Sequence, residues 1–186
     1  MRWLLSGSEM RRLSKHCFEQ LEDLPLPEEF TLPGLIAGIE QARDCTIHLV
    51  PVPTHTDLRS ACGLRLSVGR THFILYRPRP TPNQTLNIIF HELSHLWFNH
   101  GNDVDLAGGL PAHLQPLFAG LLDPHAPAVV NARAHYESAD EKEAELFASF
   151  IQCRIREQTA RGQDPLSRME ASLTHPMARP PRSGQL

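Results

Sequence analysis

The stretch that decides the fold is PNQTLNIIFHELSHLWFNH, residues 82–100. Its large apolar side chains recur with the 3.6-residue period of an α-helix. They are Leu86, Ile89, Phe90, Leu93, Leu96 and Trp97. On a helical wheel with His91 as the origin, these residues fall between about 140° and about 260°, and His95 falls at about 40°. The period therefore predicts a helix from Pro82 to about His100 that carries both histidines on the face opposite the core.

Within this helix, residues 91–95 read H-E-x-x-H. Side chains at positions i and i+4 lie on one face of a helix, so the two imidazoles can bind one metal ion. The glutamate between them points beside that face, where it can take a proton from a water molecule that the metal polarises. His91 and His95 are therefore candidate metal ligands, and Glu92 is the candidate general base. The alternative is an ordinary polar helix face turned to water.

A catalytic metal site of this kind needs a third protein ligand and an open fourth position. His100 is near in sequence, but a continuing helix would place it off the face that carries His91 and His95. A second long helix, predicted over residues 137–160, offers a group of acidic side chains in its first turns. They are Glu137, Asp140, Glu141, Glu143 and Glu145. Because Glu141 and Glu145 border the small-residue side of its apolar stripe, geometry favours either of them over Glu143.

The remaining chain shows two further helical patterns, over residues 6–22 and 32–43, and β-rich runs at 45–52, 61–68 and 71–76. Gly69-Arg70 suits a tight hairpin between the last two runs. Residues 101–134 contain too many glycines and prolines for a long regular element. These patterns predict one α+β domain over residues 1–163, with its core at about 30–160 and a small antiparallel sheet packed on helices. Residues 164–186 are predicted to form a flexible, proline-containing tail.

The composition restricts the classes of function. Hydrophobic residues make up 41% of the 186 residues and charged residues 21%, which excludes a disordered chain. A net charge of −3, with no basic stripe or helix-turn-helix pattern, argues against nucleic-acid binding. No apolar run is long enough to span a membrane, and no signal peptide is recognisable. The four scattered cysteines form no C-x-x-C pair, so we expect reduced thiols and a cytoplasmic protein.

Taken together, the hairpin, the HELSHLWFNH helix and the following ESADEKEAELFASF helix resemble the ImmA/IrrE-type zinc metallopeptidases, a gluzincin-like family. That family combines H-E-x-x-H with E-x-E-A-[ND]-x-F-A on the next long helix. Residues 141–148 read EKEAELFA, with Glu145 at the position where Asn or Asp is usual. Position by position, the resemblance implies Zn²⁺ held by His91, His95 and Glu141, with Glu92 as the catalytic base.

The resemblance further implies a bacterial endopeptidase that cleaves a regulatory partner protein, such as a helix-turn-helix repressor or an antitoxin. The donor that stabilises the tetrahedral oxyanion stays open among Tyr136, His135 and His100. The alternative function is a non-catalytic metal-binding sensor, or a toxin component of a toxin–antitoxin-like locus, that acts by protein binding. The two functions differ in whether the carboxylate of Glu92 is needed.

Overall fold

The computed structural model describes residues 6–53, 63–100, 104–105, 130–133 and 138–162. These ranges contain α1 (Gly7–Asp23), α2 (Leu32–Arg43), β1 (Thr46–Pro51), β2 (Gly63–Val68), β3 (Thr71–Tyr76), α3 (Pro82–Trp97), β4 (Val104–Asp105), β5 (Val130–Arg133) and α4 (Ser138–Gly162). The α+β class is confirmed. All four predicted helices form, although α3 ends at Trp97 instead of about His100. The predicted tail, residues 164–186, lies outside the described residues.

Short polar side chains fix where the first three helices begin. The hydroxyl of Ser6 accepts a hydrogen bond from the backbone N–H of Glu9, and the carboxylate of Glu9 accepts one from the backbone N–H of Ser6. This pair is a capping box. Thr31 and Thr81 cap α2 and α3 with their hydroxyl groups, and each is followed within two residues by a proline, which suits the first helical turn. The start of α3, and with it the position of its histidines, is therefore set locally.

The sheet is mixed, so the prediction of an antiparallel sheet is wrong in one pairing. Its strand order is β1-β3-β2-β5-β4. β2 and β3 form the predicted antiparallel hairpin, with Gly69 at a φ of 58° in the turn. β1 pairs with β3 instead of β2, and it runs parallel to β3. Because Phe73, Ile74 and Leu75 are all fully buried, β3 is the most apolar strand and takes an interior position with a neighbour on each side.

Two short strands extend the sheet beyond the predicted hairpin. β5 pairs antiparallel with β2, and β4 pairs antiparallel with β5. Both come from the stretch of residues 101–134, in which the glycines and prolines argued against a long regular element. Strands of two and four residues are compatible with that composition. Such strands are too short to be recognised in a sequence, since the alternating pattern of a strand needs several residues to show.

The apolar stripe of α3 lies in the core, as predicted. Its members Phe90 and Leu93 belong to a buried cluster that α1, α2, β1, β3 and α4 complete. The opposite face of α3 is also buried, because α4 packs over it: His95 is 0% exposed and Glu92 is 3% exposed. The alternative of a polar helix face turned to water is therefore wrong for these two side chains. None of the helices in the described ranges is long and apolar enough to cross a lipid bilayer.

The packing between α3 and α4 predicts that two phenylalanines contribute very differently to the free energy of unfolding. Phe147 is fully buried, with its ring centroid 4.8 Å from that of Phe98, whereas Phe18 is 56% exposed. We expect Phe147→Ala to lower the free energy of unfolding by about 3–5 kcal/mol, since it leaves a cavity in the core. Phe18→Ala, the matched control, should change it by about 0.5 kcal/mol or less. Urea denaturation measures both, and equal losses would contradict this packing.

Candidate metal centre

Two imidazoles of α3 face the first turns of α4. His91 and His95 are one helical turn apart, and their Nε2 atoms lie 3.1 Å from each other. The side chain of His91 is 16% exposed and that of His95 has no exposed surface. The pair therefore lies at the boundary between the protein interior and the solvent, with His95 on the inner side.

The carboxylate of Glu141 completes this pair. One of its oxygens lies 3.5 Å from Nε2 of His91, and the other lies 3.5 Å from Nε2 of His95. One atom from each of the three residues can be chosen so that all of them lie within 4.8 Å of one another, so the group could hold a metal ion. The helical wheel left Glu141 and Glu145 open. Glu145 instead lies 3.6 Å from Nδ1 of His91, the ring nitrogen on the other side from Glu141.

The environment of this group favours the metal-binding forms of Glu141 and His95 and the protonated form of His91. The imidazole of His91, and after it that of His95, lies beside the Glu141 carboxyl group and holds its pKa well below the usual range. Burial lowers the pKa of His95, which favours the neutral imidazole that metal coordination requires. Burial also lowers the pKa of His91. The hydrogen bond with Glu141 and the negative charges of Glu92, Glu141 and Glu145 together outweigh this effect, so the pKa of His91 is raised overall.

Glu92 lies beside the two histidines in a buried environment. Its burial raises the pKa of the carboxyl group to about 7, although the positive charges of His91 and Arg65 act in the opposite direction. Within the described residues, its Oε2 atom is buried without a hydrogen-bond partner. A buried carboxylate oxygen without a partner is costly, by about 1–3 kcal/mol or more. This oxygen and the His-His-Glu donor set both fit a site that takes up a metal ion and the water that accompanies it.

A tight turn at the end of α3 brings a third histidine to the site. Asn99 adopts the left-handed conformation with a φ of 56°. The backbone N–H of His100 then donates to the carbonyl of His95 at 2.9 Å, and that of Asn99 donates to the carbonyl of Leu96 at 3.1 Å. This pattern is a Schellman motif, which reverses the chain at a helix end. As a result, Nδ1 of His100 lies 3.1 Å from Nδ1 of His95.

His100 is therefore close to the predicted centre, although a continuing helix would have placed it elsewhere. It is 7% exposed, and its Nε2 lies 2.9 Å from Oε2 of Glu143. With one ring nitrogen against His95 and the other against Glu143, His100 is placed behind the ligand pair and not toward the solvent side. This position does not suit an oxyanion donor, the role for which His100 was one of three candidates. The other two candidates, His135 and Tyr136, lie outside the described residues.

Two arginines that the sequence did not single out hold the end of α3. Arg65, in β2, is 1% exposed and donates from Nη2 to the carbonyl of His100 at 2.6 Å. Arg43, in α2, donates to the carbonyl of Trp97 and lies over the Trp97 ring at 4.2 Å. Cations at a helix C-terminus complement the helix dipole. An arginine in a strand is normally assigned to the solvent face, so no sequence signal marked Arg65 as buried.

No protein-family model, curated protein or solved structure matches this chain.

The turn at Asn99 predicts how substitutions at this position change both the free energy of unfolding and metal binding. A left-handed conformation costs a residue with a Cβ about 1–2 kcal/mol, asparagine less than most, and a β-branched residue more. We expect Asn99→Val to lower the free energy of unfolding by at least this amount and to weaken metal binding, because His100 leaves His95. Asn99→Gly should preserve both properties.

Chemical denaturation and zinc titration measure these two effects. Asn83→Val is the matched control, because Asn83 is exposed in the first turn of the same helix. If valine and glycine at position 99 behaved alike, the turn would not be what places His100.

Proposed function

We propose that this protein is a zinc-dependent endopeptidase of the ImmA/IrrE type. One observation carries the proposal: the imidazoles of His91 and His95 converge with the carboxylate of Glu141 within 4.8 Å, on two helices that pack against each other. The carboxylate of Glu92 lies buried beside them. This is the arrangement that the H-E-x-x-H spacing and the resemblance lead one to expect of a peptidase.

Zinc is the metal that suits this donor set best. Two neutral imidazoles and one carboxylate are the protein ligands of several catalytic zinc sites, and three ligands leave a fourth position open. Hard cations such as Mg²⁺ and Ca²⁺ prefer oxygen ligands, which are in the minority here. When bound, zinc supplies Lewis acidity to a peptide carbonyl oxygen and makes water at the open position more acidic.

Glu92 performs the proton transfer in the proposed reaction. Its carboxylate takes a proton from water as the water oxygen attacks the peptide carbonyl carbon. It then gives that proton to the amine nitrogen as the C–N bond breaks, so the water oxygen remains in the new carboxyl group. The Oε2 atom of Glu92, which has no hydrogen-bond partner in the described part of the chain, supports this role. An oxygen already engaged by the protein would have to break a hydrogen bond first.

A groove beside the ligand group supports a polypeptide substrate. It has a volume of about 500 Å³ and runs between α1 and α4. Its lining combines apolar and charged side chains: Met10, Leu13, His91, Glu141, Lys142, Glu145, Leu146 and Ser149. Because two members of the ligand group line the groove, an extended segment bound there would pass close to the metal. We propose that the substrate is a regulatory partner protein, such as a helix-turn-helix repressor or an antitoxin, as the resemblance implies.

One test of the proposed metal site concerns its third ligand. Zinc titration of the metal-free protein should show about one tight site per chain, with Glu141→Ala weakening it far more than Glu145→Ala. The reason is that Glu141 reaches Nε2 of both His91 and His95, whereas Glu145 faces only Nδ1 of His91. Competition with a chromogenic chelator measures the affinities. Equal losses from both variants would indicate a diffuse acidic effect and contradict the assignment.

A second test separates an enzyme from a binding protein. Glu92→Gln keeps the size of the side chain but removes the base, so it should fold and bind zinc while cleavage of the partner falls by a factor of about 10²–10⁴. The candidate partner is the protein encoded by the gene next to that of this chain. It is incubated with the zinc-loaded protein, and mass spectrometry detects its cleavage. Glu157→Gln, an exposed position on α4, serves as the control.

A different outcome would favour the alternative function. If Glu92→Gln retained the full cellular phenotype while the His91→Ala and Glu141→Ala variants lost it, the metal would serve sensing or structure. The protein would then act by binding, as a non-catalytic sensor or toxin component.

A further inference from the structure

Three side chains, beginning with the predicted ligand His95, form a continuous and largely buried chain of contacts. Nδ1 of His95 lies 3.1 Å from Nδ1 of His100, and Nε2 of His100 lies 2.9 Å from Oε2 of Glu143. The exposed fractions are 0% for His95, 7% for His100 and 18% for the side chain of Glu143. The chain therefore runs from His95, a fully buried predicted metal ligand, to a less buried carboxylate on α4 that the proposed reaction does not use.

When Glu143 is ionised and both imidazoles are neutral, one arrangement of hydrogens satisfies both contacts of this chain. An ionised carboxylate only accepts, so Nε2 of His100 must carry the hydrogen that points to Glu143. Nδ1 of His100 is then a lone pair, which accepts the hydrogen on Nδ1 of His95. His95 in turn presents a lone pair at Nε2, the atom that faces His91 and Glu141.

We propose that Glu143, acting through His100, is the positioning group that holds His95 in the tautomer and orientation needed to bind the metal. A ligand histidine commonly donates its second N–H to a carboxylate or a carbonyl group, which fixes the ring and strengthens it as a ligand. Here a second histidine relays that function over one additional step. The proposal rests on the metal site proposed above.

Backbone contacts hold the middle of this chain in place. The Schellman motif fixes the main chain of His100, and Arg65 holds its carbonyl from the side of the sheet. The ring of Phe98 stacks on that of His100 with centroids 5.2 Å apart. His100 is therefore immobilised by neighbours that have no ligand role, which is what a positioning residue requires.

Other groups near the chain contribute less. Oδ1 of Asp140 lies 3.9 Å from Nε2 of His100, which is too long for a hydrogen bond. His16, on α1, approaches the second oxygen of Glu143 at 3.5 Å and is half exposed. On the other ligand, Nδ1 of His91 faces Glu145 at 3.6 Å, with the Glu145 side chain 66% exposed. Among the described residues, the outer ring nitrogen of His95 therefore has a buried neighbour at hydrogen-bond distance, whereas that of His91 faces an exposed carboxylate beyond it.

The first test examines the metal-free protein, so it does not depend on the proposed activity. Long-range ¹⁵N–¹H NMR spectra, recorded about two pH units above the ordinary histidine pKa, identify the protonated nitrogen of each ring. We expect His95 protonated at Nδ1 and His100 at Nε2. Glu143→Leu should convert both rings to mixtures of tautomers. Glu143→Gln should preserve the pattern, because its amide oxygen accepts the same hydrogen.

The second test measures zinc affinity in the same variants. Glu143→Leu and His100→Phe should weaken binding by a factor of about 10–100, while Glu143→Gln stays close to the parent protein. Glu157→Leu removes the same charge from an exposed position of α4. Glu157 lies about 18 Å further along the helix than Glu145, the last acidic residue that contacts the histidines. This substitution should leave both the tautomers and the affinity unchanged. Circular dichroism checks that each variant folds.

The two proposals fail in different ways. If the parent protein showed the expected tautomers but bound no zinc, the metal site would be wrong. If zinc bound tightly while Glu143→Leu changed neither tautomer nor affinity, the positioning role would be overturned. It would also be overturned if zinc shifted a ring nitrogen of His100 directly, since His100 would then be a ligand.

Discussion

The burial of a single imidazole, that of His95, is the constraint on which the rest of the site depends. A polar ring without exposed surface needs partners for both of its nitrogens, because an unpaired buried polar group costs several times what a hydrogen bond contributes. His100 meets one nitrogen, and His91 and Glu141 meet the other. These partners come from the turn that ends α3 and from the first turns of α4. Placing His95 in the interior therefore determines how α3 must end and where α4 must begin.

The acidic start of α4 divides its carboxylates between different tasks. Residues two positions apart on a helix point about 200° apart, so Glu141 and Glu143 cannot face the same group. Glu141 lies on the ligand side of His95, and Glu143 lies on the far side, behind His100. Glu145, one turn after Glu141, reaches the outer nitrogen of His91. A run of glutamates that reads as one charged helix face thus becomes three separate contacts once α4 is docked on α3.

Local signals in the sequence were sufficient for the helices and for the histidine pair. The period of residues 82–97 and the cap at Thr81 define α3, and the i, i+4 spacing of His91 and His95 follows from helix geometry alone. The parallel pairing of β1 with β3 depends on which strand of the hairpin it meets, a non-local choice that alternation cannot reveal. The Schellman turn was missed because Asn99 stands where glycine is the usual signal. Arg65 was missed as a neighbour of the site because a charged residue is ordinarily assigned to the surface. Glu143 was among the candidate ligands, but its contact with His100 depends on the turn at Asn99 and could not be foreseen.

These omissions share one physical cause. The H-E-x-x-H pattern names the groups that meet a metal, but the accuracy of their placement comes from residues outside it. A histidine on a helix is only as well positioned as the end of that helix. Arg43, from α2, holds the last carbonyl group of α3, and Arg65, from β2, holds the carbonyl of His100 in the turn that follows. Ligand geometry that is off by a fraction of an ångström weakens a metal site, so these distant contacts matter as much as the ligands do. The two histidines and the glutamate between them can therefore be identified from five consecutive residues, whereas the choice of Glu141 and the accuracy of the placement depend on the whole fold.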